Sequence, residues 1–306
     1  MSKKIDLFMG FLVTVLWGGN FAVIDLGLRD LDPFALTLMR FVFCAFPLVF
    51  FIRRPKNVPL KNIALYGFVF GVGLWWIVNC AMYKGLSAGL SSVFLQFSAF
   101  FTIFFSCLFM GERVNKVHFL GIILASFGLL MIIVFSDDTS TINGIILVMV
   151  AAVAWAICNI IIKFTKPADM VAFIVWSSLF SVPAILIMTV CFKGWGAITS
   201  IPANLTVGSV FSVLFQAYIT TILGYRIWNN LMKKYPATQV APLSLFVPIS
   251  GVITSYLFLD EKLSLAQALP VGVVIVGILI FLNSGAFLKF FNSKGQHVKL
   301  RNKSRQ

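Results

Sequence analysis

The stretch AGLSSVFLQFSAFFTIFFSCLFMGER, Ala88–Arg113, decides how the chain must be read. It stays apolar or small for roughly two dozen residues, long enough at 1.5 Å per residue to cross a hydrocarbon core of about 30 Å. One strongly polar side chain, Gln96, interrupts it, and it stops on Gly111-Glu112-Arg113. A second stretch, Ala237–Lys262 (ATQVAPLSLFVPISGVITSYLFLDEK), has the same shape and stops on Asp260-Glu261-Lys262. A shift of 149 residues superposes Glu112 on Glu261, Ala88 on Ala237, Arg113 on Lys262, Leu120 on Leu269 and Gly128 on Gly277. The chain reads as one unit written twice.

Composition sets the environment. Of 306 residues, 60% are hydrophobic and only 11% charged, whereas a soluble domain carries about 25% charged residues. The fold class is therefore all-α: a polytopic membrane protein whose spans place backbone hydrogen bonds inside each helix. Ten spans can be drawn: Leu7–Leu26, Pro33–Ile52, Ile63–Tyr83, Ala88–Met110, Val117–Phe135, Gly144–Ile162, Met170–Phe192, Val207–Met232, Val240–Leu259 and Leu265–Leu288. The first lacks a small-residue cleavage site and reads as a mature span. The only longer non-helical connection is Lys193–Thr206.

The net charge of +14 does not indicate nucleic acid, because the basic residues sit at span ends and in the tail Lys289–Arg305. With a cytoplasmic N-terminus, eighteen Lys and Arg fall on the inner side and four (Arg29, Lys84, Lys193 and Lys262) on the outer. The positive-inside rule then puts both termini in the cytoplasm. Five spans per half invert the second copy relative to the first. The expected units are 1–136, 142–288 and a basic tail, 289–306. Two inverted halves are the sequence signature of secondary transporters, whose substrate site lies near the midplane between them.

The opening Trp17-Gly18-Gly19-Asn20-Phe21 and the Gly-Glu-Arg stop of a duplicated five-helix unit resemble the EamA-domain exporters of the drug/metabolite transporter superfamily. Nearly the whole chain is covered, including Phe94–Ile103, Trp155–Ile160, Thr221–Trp228 and Ala241–Pro248. The resemblance implies ten helices in two inverted halves in a bacterial inner membrane. It also implies export of small polar metabolites or amino acids, such as cysteine or O-acetylserine. Another metabolite, a drug-like compound or passive facilitation remains open. Family members commonly end the first helix with a lysine where this chain has Asp25, so no role of that lysine carries over.

Polar groups inside a bilayer face protein or a cavity, which makes each a site candidate. Asn20 and Asn159 stand at equivalent places in the two halves, each near an upstream tryptophan, Trp17 or Trp155. They suit an amino acid's carboxylate and amine, or equally a plain interhelical contact. Gln96 and Asn79 are the strongest polar groups of spans four and three, and Gln96 has Leu245 as its counterpart. Trp75 and Trp76 lie mid-span, where one can face the interior, and Trp76 is taken as the candidate. Tyr218, Tyr225 and Ser244 can offer hydroxyls to the same cavity. Pro242 and Pro248 are expected to bend span nine and gate it.

Arg40 is expected to pair with Asp25 or Asp32, ahead of a substrate carboxylate. Asp25 is a candidate for proton coupling, although a solvated helix end explains it as well. Arg226 is expected to snorkel inward. Glycines 67, 71 and 73 on span three, with Gly121/Gly128 and Gly272/Gly277 on spans five and ten, suit close helix approach. The last two pairs also suit a homodimer. Glu112 and Glu261 read as capping scaffold. No cofactor or metal is called for, since the five cysteines lie scattered in apolar spans without CxxC spacing. An intramembrane enzyme is disfavoured by the lack of HExxH, GxSxG or paired midspan aspartates.

Overall fold

A membrane span must satisfy its own backbone, and the sequence marks where each helix begins and ends. A computed structural model describes residues 3–111, 116–134, 139–235, 240, 243–244, 246–261 and 265–282. Among these are α1 (Lys3–Leu28), α2 (Pro33–Phe51), α3 (Leu60–Tyr83), α4 (Ala88–Met110), α5 (Lys116–Val134), α6 (Thr139–Thr165), α7 (Met170–Lys193), α8 (Val207–Lys234), α9 (Phe246–Leu259) and α10 (Leu265–Leu282). Seven of them (α1–α4 and α6–α8) are long and apolar enough to cross a membrane.

Helix starts follow capping chemistry. Asp32, Ser87 and Asp169 accept amide N–H groups of the first turns of α2, α4 and α7, and Thr206 forms a reciprocal capping box with Ser209 at α8. Gly111 ends α4 at φ 68°, a left-handed position that glycine takes without steric cost.

The helices are less regular than the sequence periodicity predicts. α2 breaks at Phe46, held extended because Pro47 follows. α3 and α8 each contain a π-helical segment, Val69–Trp76 and Phe215–Gly224. α4 is interrupted at Leu95–Gln96, where Ala99 N–H bonds back only three residues to Gln96. The Lys193–Thr206 connection, expected to be non-helical, carries two short helical turns, Gly196–Thr199 and Ile201–Asn204.

Packing follows a paired pattern. α1 lies against α9 and α8, and α6 lies against α4 and α3. α2 packs on α7, and α5 on α10. The α5–α10 crossing consumes the glycines expected to suit a dimer: a Cβ on Gly277 would sit 2.4 Å from Ala125 N, and one on Gly121 2.7 Å from Gly277 O. Gly272 meets nothing within 4 Å.

Polar contacts between distant segments join helix ends in two sets. Asp6 binds Lys234 and Tyr235, Lys233 donates to the Pro167 carbonyl, and Asn57 bonds Lys166 and Ala168. At the opposite ends, Glu261 meets Ala88 and Gly89, Thr206 meets Asp30, and Lys193 meets Asp32.

Candidate functional site

Where the helices converge, aromatic rings surround a few polar groups. Trp17 of α1 packs on Trp155 of α6 (centroids 5.7 Å) and on Tyr225 (4.6 Å) and Trp228 (5.4 Å) of α8. Its indole N–H donates to the Thr220 carbonyl at 3.1 Å. Beside this cluster, Ser98, Thr102, Trp155, Asn159, Trp228 and Ser244 line a cavity formed by α4, α6, α8 and the segment before α9. Its open volume is about 20 Å³, room for one water and too little for an amino acid. The Asn159 amide donates to Thr102 Oγ1 at 3.1 Å, while the Trp155 and Trp228 indole nitrogens are buried without a hydrogen bond.

Three more candidates are buried and underused. Asn20 and Gln96 have neither amide atom hydrogen-bonded among the described residues, and Asn79 lacks a donor to its oxygen. Burying an unpaired amide costs about 1–3 kcal/mol, so these groups persist against their structural cost. Gln96 also occupies the interruption of α4, placing the polar side chain and the backbone irregularity together.

Arg40 corrects the sequence reading. It is fully buried in α2 and touches neither expected aspartate. Asp25 bonds Arg29 at an exposed helix end, and Asp32 caps α2 and faces Lys193. Arg40 instead donates from Nε and Nη2 to Thr221 Oγ1 (2.9 and 2.8 Å) and from Nη1 to Gln216 Oε1 (3.2 Å). Its guanidinium carbon lies 3.8 Å from the Trp75 ring centroid. Each of these partners comes from a π-helical segment, a feature that recurs at functional sites: Trp75 in α3, Gln216 and Thr221 in α8.

The structure brings Trp17, Trp155, Tyr225, Asn159 and Ser244 together. It sends Trp76 elsewhere, against Phe34 (5.1 Å), with Trp75 taking the inward position. Tyr218 is half-buried on the π segment of α8 and is not among the rings around Trp17. Pro248 is buried in α9, two residues past Phe246, where the described helix begins. Pro242, Glu112 and the tail 289–306 lie outside the described residues. Arg226 is exposed and shares a groove with Lys233 and Lys234. Sequence reasoning missed Thr102, Gln216, Thr221 and Trp228. The TILGYRIW motif held the signal for two of them, since Thr221 and Trp228 bracket Tyr225.

Comparison with known proteins decides the family. A model of the EamA-like transporter family matches residues 4–134 and 142–283. The chain belongs to the EamA-like transporter family. This agrees with the expectation of a transporter and not an enzyme. The chain is 36% identical over 287 residues to a "Probable amino-acid metabolite efflux pump" of Escherichia coli (strain K12), covering 92% of this chain and 95% of that one. An "Uncharacterized inner membrane transporter YedA" of the same strain is 22% identical, with 88% of each chain covered. A crystal structure shares the fold at a TM-score of 0.62 with 16% identity, covering 92% of this chain and 98% of the other.

Proposed function

We propose that this EamA-family chain exports small amino-acid metabolites, such as cysteine or O-acetylserine, across a bacterial inner membrane by alternating access. The observation that carries it is the small, aromatic-walled cavity, largely apolar with a few polar groups in its lining, at the junction of α4, α6 and α8. Polar contacts join helix ends above and below it: Asp6 with Lys234 and Tyr235 at one end, Glu261 with Ala88 and Gly89 at the other. A centre too small for its cargo, closed at both ends, is what a carrier passes through between inward- and outward-open forms.

The proposed architecture is ten spans in two inverted halves, 1–136 and 142–288, with a cytoplasmic tail, 289–306, and both termini inside. Four features support it: the paired packing of α1 on α8 and α9 and of α6 on α3 and α4, the matching π segments in α3 and α8, the two sets of end contacts, and the positive-inside count. The cargo reading draws on the similarity of Trp17–Phe21, Phe46–Leu60 and Ala241–Pro248 to the bacterial O-acetylserine/cysteine exporter, and on the efflux-pump relative. The inner-membrane placement draws on the YedA relative. Proton coupling through Asp25 stays outside the proposal, since Asp25 lies at an exposed helix end beside Arg29 and not in the cavity. A homodimer stays outside the proposal, since Gly121, Gly128 and Gly277 are taken up by the α5–α10 crossing and only Gly272 is left open.

Counterflow in proteoliposomes tests the function. Unlabelled amino acid inside the vesicles should accelerate entry of labelled cysteine, with saturation. Entry that neither saturates nor responds to the trans amino acid would replace the carrier with a passive facilitator.

A further inference from the structure

Arg40 is a charge without a counter-ion in a place that cannot tolerate one for long. An arginine at a helix centre costs about 2.5–3.5 kcal/mol to insert, and buried charges are kept where they meet an opposite charge or serve a pathway. Here the guanidinium is 0% exposed, and among the described residues no carboxylate reaches it. Its partners are a hydroxyl, an amide oxygen and a ring face, all neutral. Of the five N–H donors of a guanidinium, three are used, leaving one N–H on each terminal nitrogen.

A second unsatisfied group lies one turn away. Thr37, three residues before Arg40 on α2, donates its hydroxyl proton to the Pro33 carbonyl, so its oxygen can only accept. The Asn79 amide therefore presents its NH₂ to Thr37 (2.8 Å), leaving its own oxygen buried without a donor. Arg40 meets Trp75 and Thr37 meets Asn79, so the two contacts form successive layers between α2 and α3. One layer offers spare donors on a cation, the next a spare acceptor. The Thr220 carbonyl takes the Trp17 indole and the neighbouring Thr221 hydroxyl takes Arg40, which sets Arg40 beside the aromatic cluster.

We infer that Arg40 and Asn79 form the subsite for the charged head of the cargo, Arg40 receiving a carboxylate and the Asn79 oxygen the neighbouring ammonium. The inference rests on the exporter reading and sharpens it. The cargo class is then α-amino acids with a free α-carboxylate, and decarboxylated amines and α-carboxyl esters are rejected. Two charge-assisted hydrogen bonds to a carboxylate should discriminate by about ten- to a hundredfold or more.

The test is counterflow with a panel of amino acids, each paired with its decarboxylated amine and methyl ester, cysteine with cysteamine and cysteine methyl ester first. Wild type should exchange the acids at least about tenfold better than the amines or esters. Arg40→Gln should lose that preference, and Arg40→Lys should keep it at a raised KM. Amines exchanging as well as acids in wild type would overturn the subsite while leaving a carrier in place, and this arm stands even if Arg40→Gln does not fold. A folded Arg40→Gln that retains wild-type KM and preference would overturn it too. Exchange of no acid, amine or ester would sink the exporter reading itself, and the subsite with it.

Discussion

The Glu261 carboxylate, just beyond α9, accepts the backbone N–H groups of Ala88 (3.0 Å) and Gly89 (3.2 Å) at the start of α4. Both amides are among the first-turn donors that an α-helix cannot satisfy itself. The carboxylate also sits at the positive end of the helix dipole. The scaffold role expected for this residue thus takes a specific form. It caps a helix 173 residues away in sequence and ties the end of α9 to the start of α4.

Losing this cap should open that end of the protein. Glu261→Ala removes a cap worth about 0.5–2 kcal/mol. A cysteine at Gly89, where an added Cβ finds its nearest neighbour at 3.4 Å, then reports access. Its maleimide labelling should quicken severalfold in the Glu261→Ala background. An unchanged rate would mean the carboxylate holds nothing shut.

The neighbouring glycines of the WGGN motif should behave oppositely. A Cβ on Gly18 would lie 1.8 Å from Ser250 Oγ and 2.4 Å from the Val247 carbonyl, whereas one on Gly19 meets nothing nearer than 3.6 Å. Gly18→Ala should therefore cost about 1–3 kcal/mol or more through overpacking. Adding Ser250→Ala should not rescue it, because the backbone carbonyl stays in place. Gly19→Ala should be near neutral. Thermal stability in detergent, read by fluorescence size-exclusion, separates the two.

Gln96→Leu should stabilise the protein and impair it. The side chain is fully buried with neither amide atom hydrogen-bonded, and the substitution installs a residue of similar size that its sequence counterpart, Leu245, already uses. Removing an unpaired buried amide should recover about 1–3 kcal/mol, raising Tm while KM rises. A lower Tm with unchanged KM would make Gln96 structural.

The two adjacent threonines of α8 should differ sharply. Thr221→Val strands two guanidinium N–H donors of Arg40, at about 1.5–3 kcal/mol for each hydrogen bond to a charged group. Thr220→Val removes only a hydroxyl that bonds its own helix at Gln216, and it keeps the carbonyl that receives Trp17. Chemical denaturation of the purified variants should rank Thr221→Val well below Thr220→Val, and equal stability would contradict the Arg40 geometry.

Apolar length was readable directly. Runs of twenty or so apolar residues in a chain this poor in charge point to membrane helices, whereas the caps Asp32, Ser87, Asp169 and Thr206 emerge with the structure. Matching the two sequence stretches singled out Trp17, Trp155 and Asn159 as candidates, but not the contact of Trp17 with Trp155. Trp75 and Trp76 could not be told apart, because the π segment around them departs from the 3.6-residue period on which facing is judged. The partners of Arg40 were hidden for a different reason. A search for opposite charge looks toward aspartates near in sequence, while the true partners are neutral and 176 and 181 residues away. The break at Gln96 has neither glycine nor proline to announce it.

A π segment is a helix with slack wound into it. One residue more than an α-helix would use turns everything downstream by about 100°, so the two ends of α8 are keyed to different surroundings. Tyr225 and Trp228 are aimed at the aromatic cluster by a phase that Val207–Leu214 does not share. α3 carries the same twist, with Trp75 inside it and Asn79 just beyond. Sliding that slack along either rod would re-aim its inner face while both ends stay anchored, a clutch at the centre of a molecule whose rims are latched.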